Sequence, residues 1–310
     1  MRQVHELLKH SHFKPSINKN KHHILDHKTK YSPTIFLHGF LGSKKNFTKI
    51  GKSLTNNLLT ENFTLDLRNH GDSFHSTKFN YNEMTNDLIE FINHYKLSKF
   101  NLVGYSMGAK IALNYSILYP NKIDKLICID NCPIEKQIPI ELFDKILNIM
   151  NLEFNQLNYE IDINKNNWKN FLFKFINNLL QNNNLSLYLL DNFKFNNELN
   201  QIDLKIPKYI LTNDILKKLS EFPIHPLNWK VQNQLVDDFD NNNLPRSIDT
   251  LFIKALKSSF IDNKSLIETK ELIKNFKLIE YDDTHHGILI NHYNKIAKDI
   301  ENFIISEKNI

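Results

Sequence analysis

A serine between two glycines is the part of this chain best suited to covalent chemistry. Residues 104–108 read Gly-Tyr-Ser-Met-Gly, the pattern G-x-S-x-G, and Ser106 lies between the apolar run 100–103 and a stretch with helical spacing. On a sharp strand-to-helix turn the serine hydroxyl is lifted toward substrate, and the glycines keep side chains out of the bend. The segment therefore predicts a nucleophile elbow, with a serine in an ordinary turn as the alternative.

Two further groups must assist such a serine: a histidine that removes its proton and a carboxylate that orients the histidine. In the fold that carries this elbow the chain order is serine, acid, histidine. His285 and His286 both follow an apolar segment near the C-terminus, and the residues alone leave that choice open. For the acid we favour Asp130, which ends an apolar run 24 positions after Ser106, over Asp262. A capping or turn aspartate is the alternative for Asp130.

The oxyanion formed when serine attacks a carbonyl needs preorganised N–H donors. The backbone of Met107, which follows the serine, is the first expected donor. The loop 38–43, His-Gly-Phe-Leu-Gly-Ser, supplies the second, and the amide of Phe40 is its best candidate. His38 is interpreted as a structural hydrogen-bonding residue. A third motif at 66–73, Asp-Leu-Arg-Asn-His-Gly-Asp-Ser, is interpreted as a hydrogen-bonded scaffold.

Composition excludes several other classes of function. The chain has 310 residues, 41% apolar and 24% charged, which is typical of a globular protein. Its net charge of +5 comes from scattered lysines, so nucleic-acid binding is not expected. No apolar run is long enough for a membrane span, and no metal site is implied. Cys128 and Cys132 are too few for a disulfide framework and are expected to be packing thiols.

Short apolar runs alternate with helical stretches, which predicts an α/β fold with a mostly parallel sheet flanked by helices. A core of 31–133 and 246–310 is expected to carry an inserted helical cap, 134–245, which contains no glycine. Residues 1–30 form a segment with an excess of basic residues and are expected to be a leader, either a targeting segment or a poorly packed tail. Strands are predicted at 34–37, 63–67, 100–103, 126–129, 251–253 and 277–281, and helices near 46–59, 83–95, 107–118, 265–275 and 293–305. The aromatic residues that could line a pocket in the cap are Trp168, Phe171, Phe173, Phe175, Tyr188, Phe193, Phe195, Phe222 and Trp229.

Five segments together resemble the fungal ethanol acetyltransferase family and the related mitochondrial α/β-hydrolase-domain esterases: FLHGFLGSKKN, LDLRNHGDS, GYSMGAK, CIDNCPIE and THHGILINH. The similarity extends from about residue 31 to the C-terminus. In those relatives the acid follows the strand after the elbow, which implies Asp130. Their base stands 17 positions before an aromatic residue of the final helix, and counting back from Phe303 implies His286.

The resemblance implies an α/β-hydrolase fold and an enzyme that makes ethyl acetate from acetyl-CoA and ethanol through an acetyl-serine intermediate. Side thioesterase and esterase activity are expected at the same site. A plain carboxylic-ester or acyl-CoA thioester hydrolase is the alternative, and a non-catalytic binding protein is a third possibility. The implied partners are small molecules, with acetyl-CoA as a substrate and no bound cofactor. The implied location is mitochondrial, with the cytoplasm as the alternative.

Overall fold

A seven-stranded β-sheet forms the centre of the protein, whose computed structural model describes residues 6–16, 30–136, 140–152, 163–223 and 248–307. The strands are β1 (His10–Phe13), β2 (Thr34–Leu37), β3 (Asn62–Leu65), β4 (Phe100–Tyr105), β5 (Ile123–Ile129), β6 (Phe193–Asn196), β7 (Gln201–Leu204), β8 (Asp249–Ala255) and β9 (Phe276–Tyr281). The sheet order is β1-β3-β2-β4-β5-β8-β9, and every neighbouring pair is parallel except β1 with β3. β6 and β7 form a separate antiparallel hairpin.

Helices cover both faces of the sheet. They are α1 (Thr48–Leu58), α2 (Tyr81–His94), α3 (Met107–Leu118), α4 (Ile140–Asn151), α5 (Trp168–Leu180), α6 (Asn183–Leu190), α7 (Asn213–Ser220), α8 (Asn263–Leu272), α9 (Ile288–Asn291) and α10 (Tyr293–Ile305). On one face, α1 and α10 bury an apolar cluster that includes Leu54 and Ile300. On the other, α2 and α3 bury a second cluster that includes Phe91 and Ala112. Because both faces are covered, every residue of β2, β3 and β4 is buried, as a parallel sheet requires.

The register of the central strands brings three loops to one edge of the sheet. Leu37 of β2 pairs with Gly104 of β4, and Ile129 of β5 pairs with Tyr105. The loop that begins at residue 38, the turn at 106 and the turn at 130 therefore follow adjacent strand ends. In open α/β sheets this carboxyl edge is where ligands bind.

The predicted order of sheet strands and flanking helices is confirmed from residue 34 onward. β2, α3 and α10 have the predicted bounds, and the other predicted elements differ at their ends by a few residues. β4 extends to Tyr105, directly before Ser106, and β5 begins at Ile123. Strand ends are least visible in sequence because hydrogen bonding to neighbouring strands sets where a strand stops.

The core sheet begins before residue 31, the predicted boundary of the core, because β1 is its edge strand. His10–Phe13 pairs antiparallel with Asn62–Leu65, and Leu8 just before it is 1% exposed. A strand of four half-buried residues among histidines and lysines has too short a pattern to be recognised in sequence. The rest of the predicted leader, residues 1–5 and 17–29, lies outside the described residues.

The predicted cap contains helices, but it is not entirely helical. α4, α5, α6 and α7 belong to it, and the hairpin of β6 and β7 follows α6. Phe193 and Phe195 alternate with polar residues over only four positions, which is too short to distinguish a strand from part of a helix by periodicity. Trp229 and the predicted end of the cap at residue 245 lie outside the described residues.

Candidate active site

The nucleophile elbow has the strained geometry that the sequence predicts. Ser106 joins β4 to α3 with a φ of 52° and a ψ of −114°, and it is 9% exposed. A Cβ atom on Gly104 would lie 2.3 Å from the carbonyl oxygen of Gly108, and one on Gly108 would lie 2.3 Å from the carbonyl oxygen of Leu37. Only glycine fits at both positions, because the helix packs directly against the strands there. The surrounding backbone therefore holds the serine in its unfavourable conformation.

Three predicted side chains form one chain of hydrogen bonds. Ser106 Oγ lies 2.7 Å from His286 Nε2, and His286 Nδ1 lies 2.8 Å from Asp130 Oδ2. Since the carboxylate can only accept, we assign the ring proton to Nδ1, which leaves Nε2 able to accept the serine proton. Asp130 is fully buried, and the His286 side chain is 22% exposed. This arrangement can activate the hydroxyl and stabilise the resulting imidazolium.

Neighbouring strands and rings hold the acid and the histidine in place. The second oxygen of Asp130 accepts a hydrogen bond from the Ala255 N–H at 3.2 Å. The ring of Phe260 stacks on His286 with a centroid distance of 3.9 Å, and the hydroxyl of Tyr105 donates to the His286 carbonyl at 2.6 Å. Sequence reasoning missed Phe260 and Tyr105. Tyr105 adjoins the serine, whereas nothing local marks Phe260.

The rival candidates for the base and the acid, His285 and Asp262, lie outside this chain of hydrogen bonds. His285 is exposed and makes no hydrogen bond to any described residue, whereas His286 reaches the serine. Asp262 caps the first turn of α8 by accepting from the Ser265 N–H at 2.8 Å, and its other oxygen pairs with Lys136. The Lys136 ammonium lowers the pKa of Asp262 to about 2. Asp262 is thus a capping residue, the role considered above as the alternative for Asp130.

The two predicted oxyanion donors have unused N–H groups. In the loop after β2, the Gly42 N–H donates to the Gly39 carbonyl at 3.0 Å, and the Leu41 N–H donates to His70 Nε2 at 3.1 Å. The Phe40 N–H has no acceptor among the described residues. Met107 is the first residue of α3, where a helical N–H lacks an intrahelical acceptor. Both amides are therefore available to an incoming oxyanion.

Two buried neutral histidines support this loop. His38 accepts from the Leu67 N–H at Nε2, at 3.0 Å, and donates from Nδ1 to the Gly39 carbonyl at 2.8 Å. His70 donates from Nδ1 to the Arg68 carbonyl at 2.9 Å, which leaves its Nε2 free to accept from Leu41. Burial lowers the pKa of His38 to about 4 and the pKa of His70 to about 3. The structural role predicted for His38 is confirmed.

The motif at 66–73 is also structural, as predicted. The guanidinium of Arg68 is buried and binds the Asp87 carboxylate through Nε at 2.5 Å and Nη2 at 2.7 Å. Its Nη1 also donates to Glu83 at 3.1 Å. These contacts join the loop after β3 to α2. The positive charge of Arg68 is thus satisfied within the scaffold.

We expect His38 and His70 to make the free energy of unfolding fall in acid. Above about pH 6.5 the folded and unfolded chains both hold these rings neutral. Below it the unfolded chain binds protons that the folded chain does not, so the free energy of unfolding falls by about 1.4 kcal/mol per pH unit for each ring. Urea unfolding between about pH 7.5 and about pH 5 measures this slope. His70→Asn should remove about half of this slope, because His38 keeps its own share; a flat wild-type profile would contradict the prediction.

Comparison with known proteins decides the family. Residues 33–293 match the family described as the alpha/beta hydrolase fold. The chain belongs to the α/β-hydrolase-fold family. This confirms the predicted fold, and solved structures agree: an esterase of a marine microorganism has a TM-score of 0.73 at 22% identity, covering 96% of this chain and 99% of that one. A thioesterase domain from the curacin biosynthetic pathway has a TM-score of 0.61 at 14% identity, covering 97% and 100%.

The curated relatives of this α/β hydrolase confirm the resemblance stated from its motifs. Ethanol acetyltransferase 1 of Wickerhamomyces anomalus is 30% identical over 272 residues, which cover 82% of this chain and 64% of that protein. A probable alcohol acetyltransferase of the same yeast is 29% identical, covering 89% and 79%. Ethanol acetyltransferase 1 of Kluyveromyces marxianus is 28% identical, covering 82% and 69%. The chain thus spans less than two thirds of the length of the first of these relatives.

Three further predictions for this α/β hydrolase concern its cysteines, membrane-spanning segments and metal sites. Cys128 and Cys132 are buried free thiols, and burial raises the pKa of Cys132 to about 11, which suits packing rather than reactivity. No described helix combines the length and apolar character needed to cross a membrane. In the same ranges no cluster of three or more His, Cys, Asp or Glu side chains could hold a metal ion.

Proposed function

We propose that this α/β hydrolase transfers the acetyl group of acetyl-CoA to ethanol and releases ethyl acetate. The observation that carries the proposal is the hydrogen-bonded chain from Ser106 through His286 to Asp130. The names of the curated relatives, ethanol acetyltransferase and alcohol acetyltransferase, support the choice of substrates. Acetyl-CoA is consumed as a substrate, and the proposed reaction uses no bound cofactor or metal.

In the first half of the proposed reaction, Ser106 Oγ attacks the thioester carbonyl while its proton moves to His286 Nε2. The oxyanion accepts hydrogen bonds from the Phe40 and Met107 amides, and Asp130 stabilises the imidazolium. Collapse of the tetrahedral intermediate breaks the carbon–sulfur bond. The CoA thiol leaves with the proton from His286, and the acetyl group remains on the serine.

In the second half, ethanol attacks the acetyl-serine carbonyl and His286 Nε2 takes the hydroxyl proton. The same two amides bind the second oxyanion. Its collapse releases ethyl acetate, and the proton returns from His286 to Ser106 Oγ. In each half His286 thus acts first as a base and then as an acid, and the enzyme is regenerated.

Hydrolysis of carboxylic esters or acyl-CoA thioesters is the second candidate function. It is favoured by the 22% exposure of the His286 side chain, because water that reaches this ring can replace ethanol as the acceptor. The esterase and thioesterase neighbours share the fold at 22% and 14% identity, which supports no finer choice. Side thioesterase and esterase activity belongs to the proposal for the same reason.

Product analysis separates the two functions. Purified protein is given acetyl-CoA with and without ethanol, and free CoA, acetate and ethyl acetate are measured. We expect ethyl acetate only with ethanol, with free CoA equal to the sum of the two acetyl products. Acetate alone, even at high ethanol concentration, would identify a hydrolase instead.

A mitochondrial location is proposed from the resemblance, with the cytoplasm as the alternative, and cell fractionation tests it.

A further inference from the structure

The loop that carries the predicted oxyanion donor is also held by the cap. The hydroxyl of Tyr188, on α6, donates to the Phe40 carbonyl at 2.9 Å. Just after α6, the Asn192 side-chain amide donates to the Leu41 carbonyl at 2.8 Å, and Asn192 is 4% exposed. Two consecutive carbonyl groups of the loop after β2 are therefore bound by side chains that the cap supplies.

These contacts fix the peptide group that directly follows the Phe40 N–H in the chain. The peptide that joins Phe40 to Leu41 has its carbonyl bound by Tyr188 and its N–H bound by His70. The preceding peptide, which carries the Phe40 N–H, has its carbonyl bound by the Gly42 N–H and by His38. Both peptide planes are thus held, and only the Phe40 N–H remains without a described acceptor. The orientation of that N–H depends on all these contacts together.

The loop has a conformation that needs such support. Leu41 has a φ of 60°, in the left-handed region, which costs a residue with a side chain about 1 kcal/mol or more. Such a conformation persists only where its surroundings enforce it. A Cβ atom on Gly42 would lie 2.6 Å from the Tyr188 hydroxyl, so the absence of a side chain there admits the hydroxyl to the loop.

The same cap helix also contacts the histidine side of the site. Asn184, near the start of α6, donates from its side-chain amide to Asn291 Oδ1 at 2.6 Å, and Asn291 ends α9, shortly after His286. α6 thus spans from the segment that carries the base to the loop that carries the oxyanion donor. Burial raises the pKa of the Tyr188 hydroxyl, which keeps it protonated and able to donate.

From these contacts we infer that Tyr188, assisted by Asn192, is a positioning residue of the oxyanion hole. It aims the Phe40 N–H by fixing the next peptide in the loop, and it touches no reacting atom itself. The inference rests on the proposed function in one respect, namely that Ser106 attacks a carbonyl whose oxyanion the Phe40 N–H binds. It does not depend on whether ethanol or water then accepts the acetyl group.

The competing explanation is that the Tyr188 hydrogen bond only attaches the cap to the core. The chain offers a matched control for this, because the hydroxyl of Tyr209 in the cap donates to Asn69 Oδ1 in the core at 3.1 Å. Tyr188→Phe and Tyr209→Phe each remove one hydroxyl from a cap-to-core hydrogen bond and keep the ring. Tyr209 is 41% exposed and Tyr188 is less so, and the Tyr209 change should therefore cost less stability, but a purely structural bond predicts little effect of either change on activity.

The test compares both variants with the wild type in hydrolysis of p-nitrophenyl acetate and in the rate at which a fluorophosphonate labels the serine. For Tyr188→Phe we expect kcat and the labelling rate to fall by about 10-fold to 100-fold with KM unchanged, because oxyanion stabilisation acts on the transition state. The apparent pKa of the pH–rate profile should not move, since the contacts of His286 remain. Tyr209→Phe should stay within about twofold of the wild type in all of these measurements.

Three outcomes would overturn the inference: a Tyr188→Phe kcat within about twofold of the wild type, equal losses in both variants, or a loss accompanied by a shifted pH–rate profile. Thermal unfolding of both variants checks that they are equally folded. Because neither readout uses acetyl-CoA or ethanol, failure of the proposed transferase reaction leaves this test intact. Conversely, an unaffected Tyr188→Phe would leave the transferase proposal standing.

Discussion

Replacing Ser106 by alanine is expected to lower both ester hydrolysis and ethyl acetate formation by about 10⁴-fold or more. The side chain that is proposed to form the acyl bond is then absent, and the oxyanion donors alone would supply only the residual rate. Intact-protein mass spectrometry with a fluorophosphonate probe measures the same point directly. The wild type should gain one adduct, located at Ser106 by peptide mapping, and the variant should gain none.

A matched control lies on the helix that follows the elbow. Ser116 is also buried, but its hydroxyl donates to the Leu113 carbonyl within α3. Ser116→Ala should therefore keep activity and labelling close to wild type. Ser106→Ala should unfold at a urea concentration no lower than the wild type, because the substitution removes no structural contact other than the one to His286. Full activity in folded Ser106→Ala protein would refute the acyl-serine mechanism.

Replacing Asp130 by asparagine is expected to lower kcat by about 10⁴-fold while the protein stays folded. The carboxylate accepts the proton on His286 Nδ1 and stabilises the cation that forms when Nε2 takes the serine proton. A neutral amide provides no such charge and can favour the wrong ring tautomer. Steady-state hydrolysis of p-nitrophenyl acetate measures the loss, and it should be greatest in kcat rather than in KM.

The rival carboxylate provides the control for this prediction. Asp262→Asn makes the same chemical change at the N-cap of α8, where asparagine also caps well. We expect its activity to remain within about twofold of the wild type, with a loss of stability below about 1 kcal/mol from the surface pair with Lys136. The reverse result, an inactive Asp262→Asn and an active Asp130→Asn, would assign the acid to Asp262 and contradict the geometry.

The candidate site includes residues from the core and from the cap, and the contact between the two is relevant to the choice of acceptor. Phe40 not only offers its amide but also packs its ring near Phe143 of α4, at a centroid distance of 6.5 Å. Core and cap thus meet at the residue that is proposed to bind the oxyanion. In the proposed reaction, whether ethanol or water accepts the acetyl group depends on how dry this region stays. The product analysis proposed above measures that balance directly.

Much of the scaffold could be predicted from local patterns. The apolar runs and helical spacing marked the main-sheet strands after residue 34 and most of the flanking helices, because a buried parallel strand and an amphipathic helix differ in period. The G-x-S-x-G segment identified Ser106 and its strained turn, since glycine spacing is a local requirement of that turn. β1 and the cap hairpin escaped this reasoning because their strands are only partly buried and mix polar with apolar residues, whereas the equally short β2 is fully buried and mostly apolar.

The sequence by itself determined the elbow, the order of serine, acid and histidine, and the loop after β2 as the source of a candidate oxyanion donor. Only the tertiary structure decided which residues meet: His286 rather than His285 reaches a serine 180 positions away, and Asp130 reaches that histidine across 156 positions. Tyr188, in contact with the Phe40 carbonyl across 148 positions, had appeared only as one of several aromatic candidates. The reason is physical. Periodicity and turn chemistry act over a few residues, whereas these contacts depend on how the cap and the strand ends pack together.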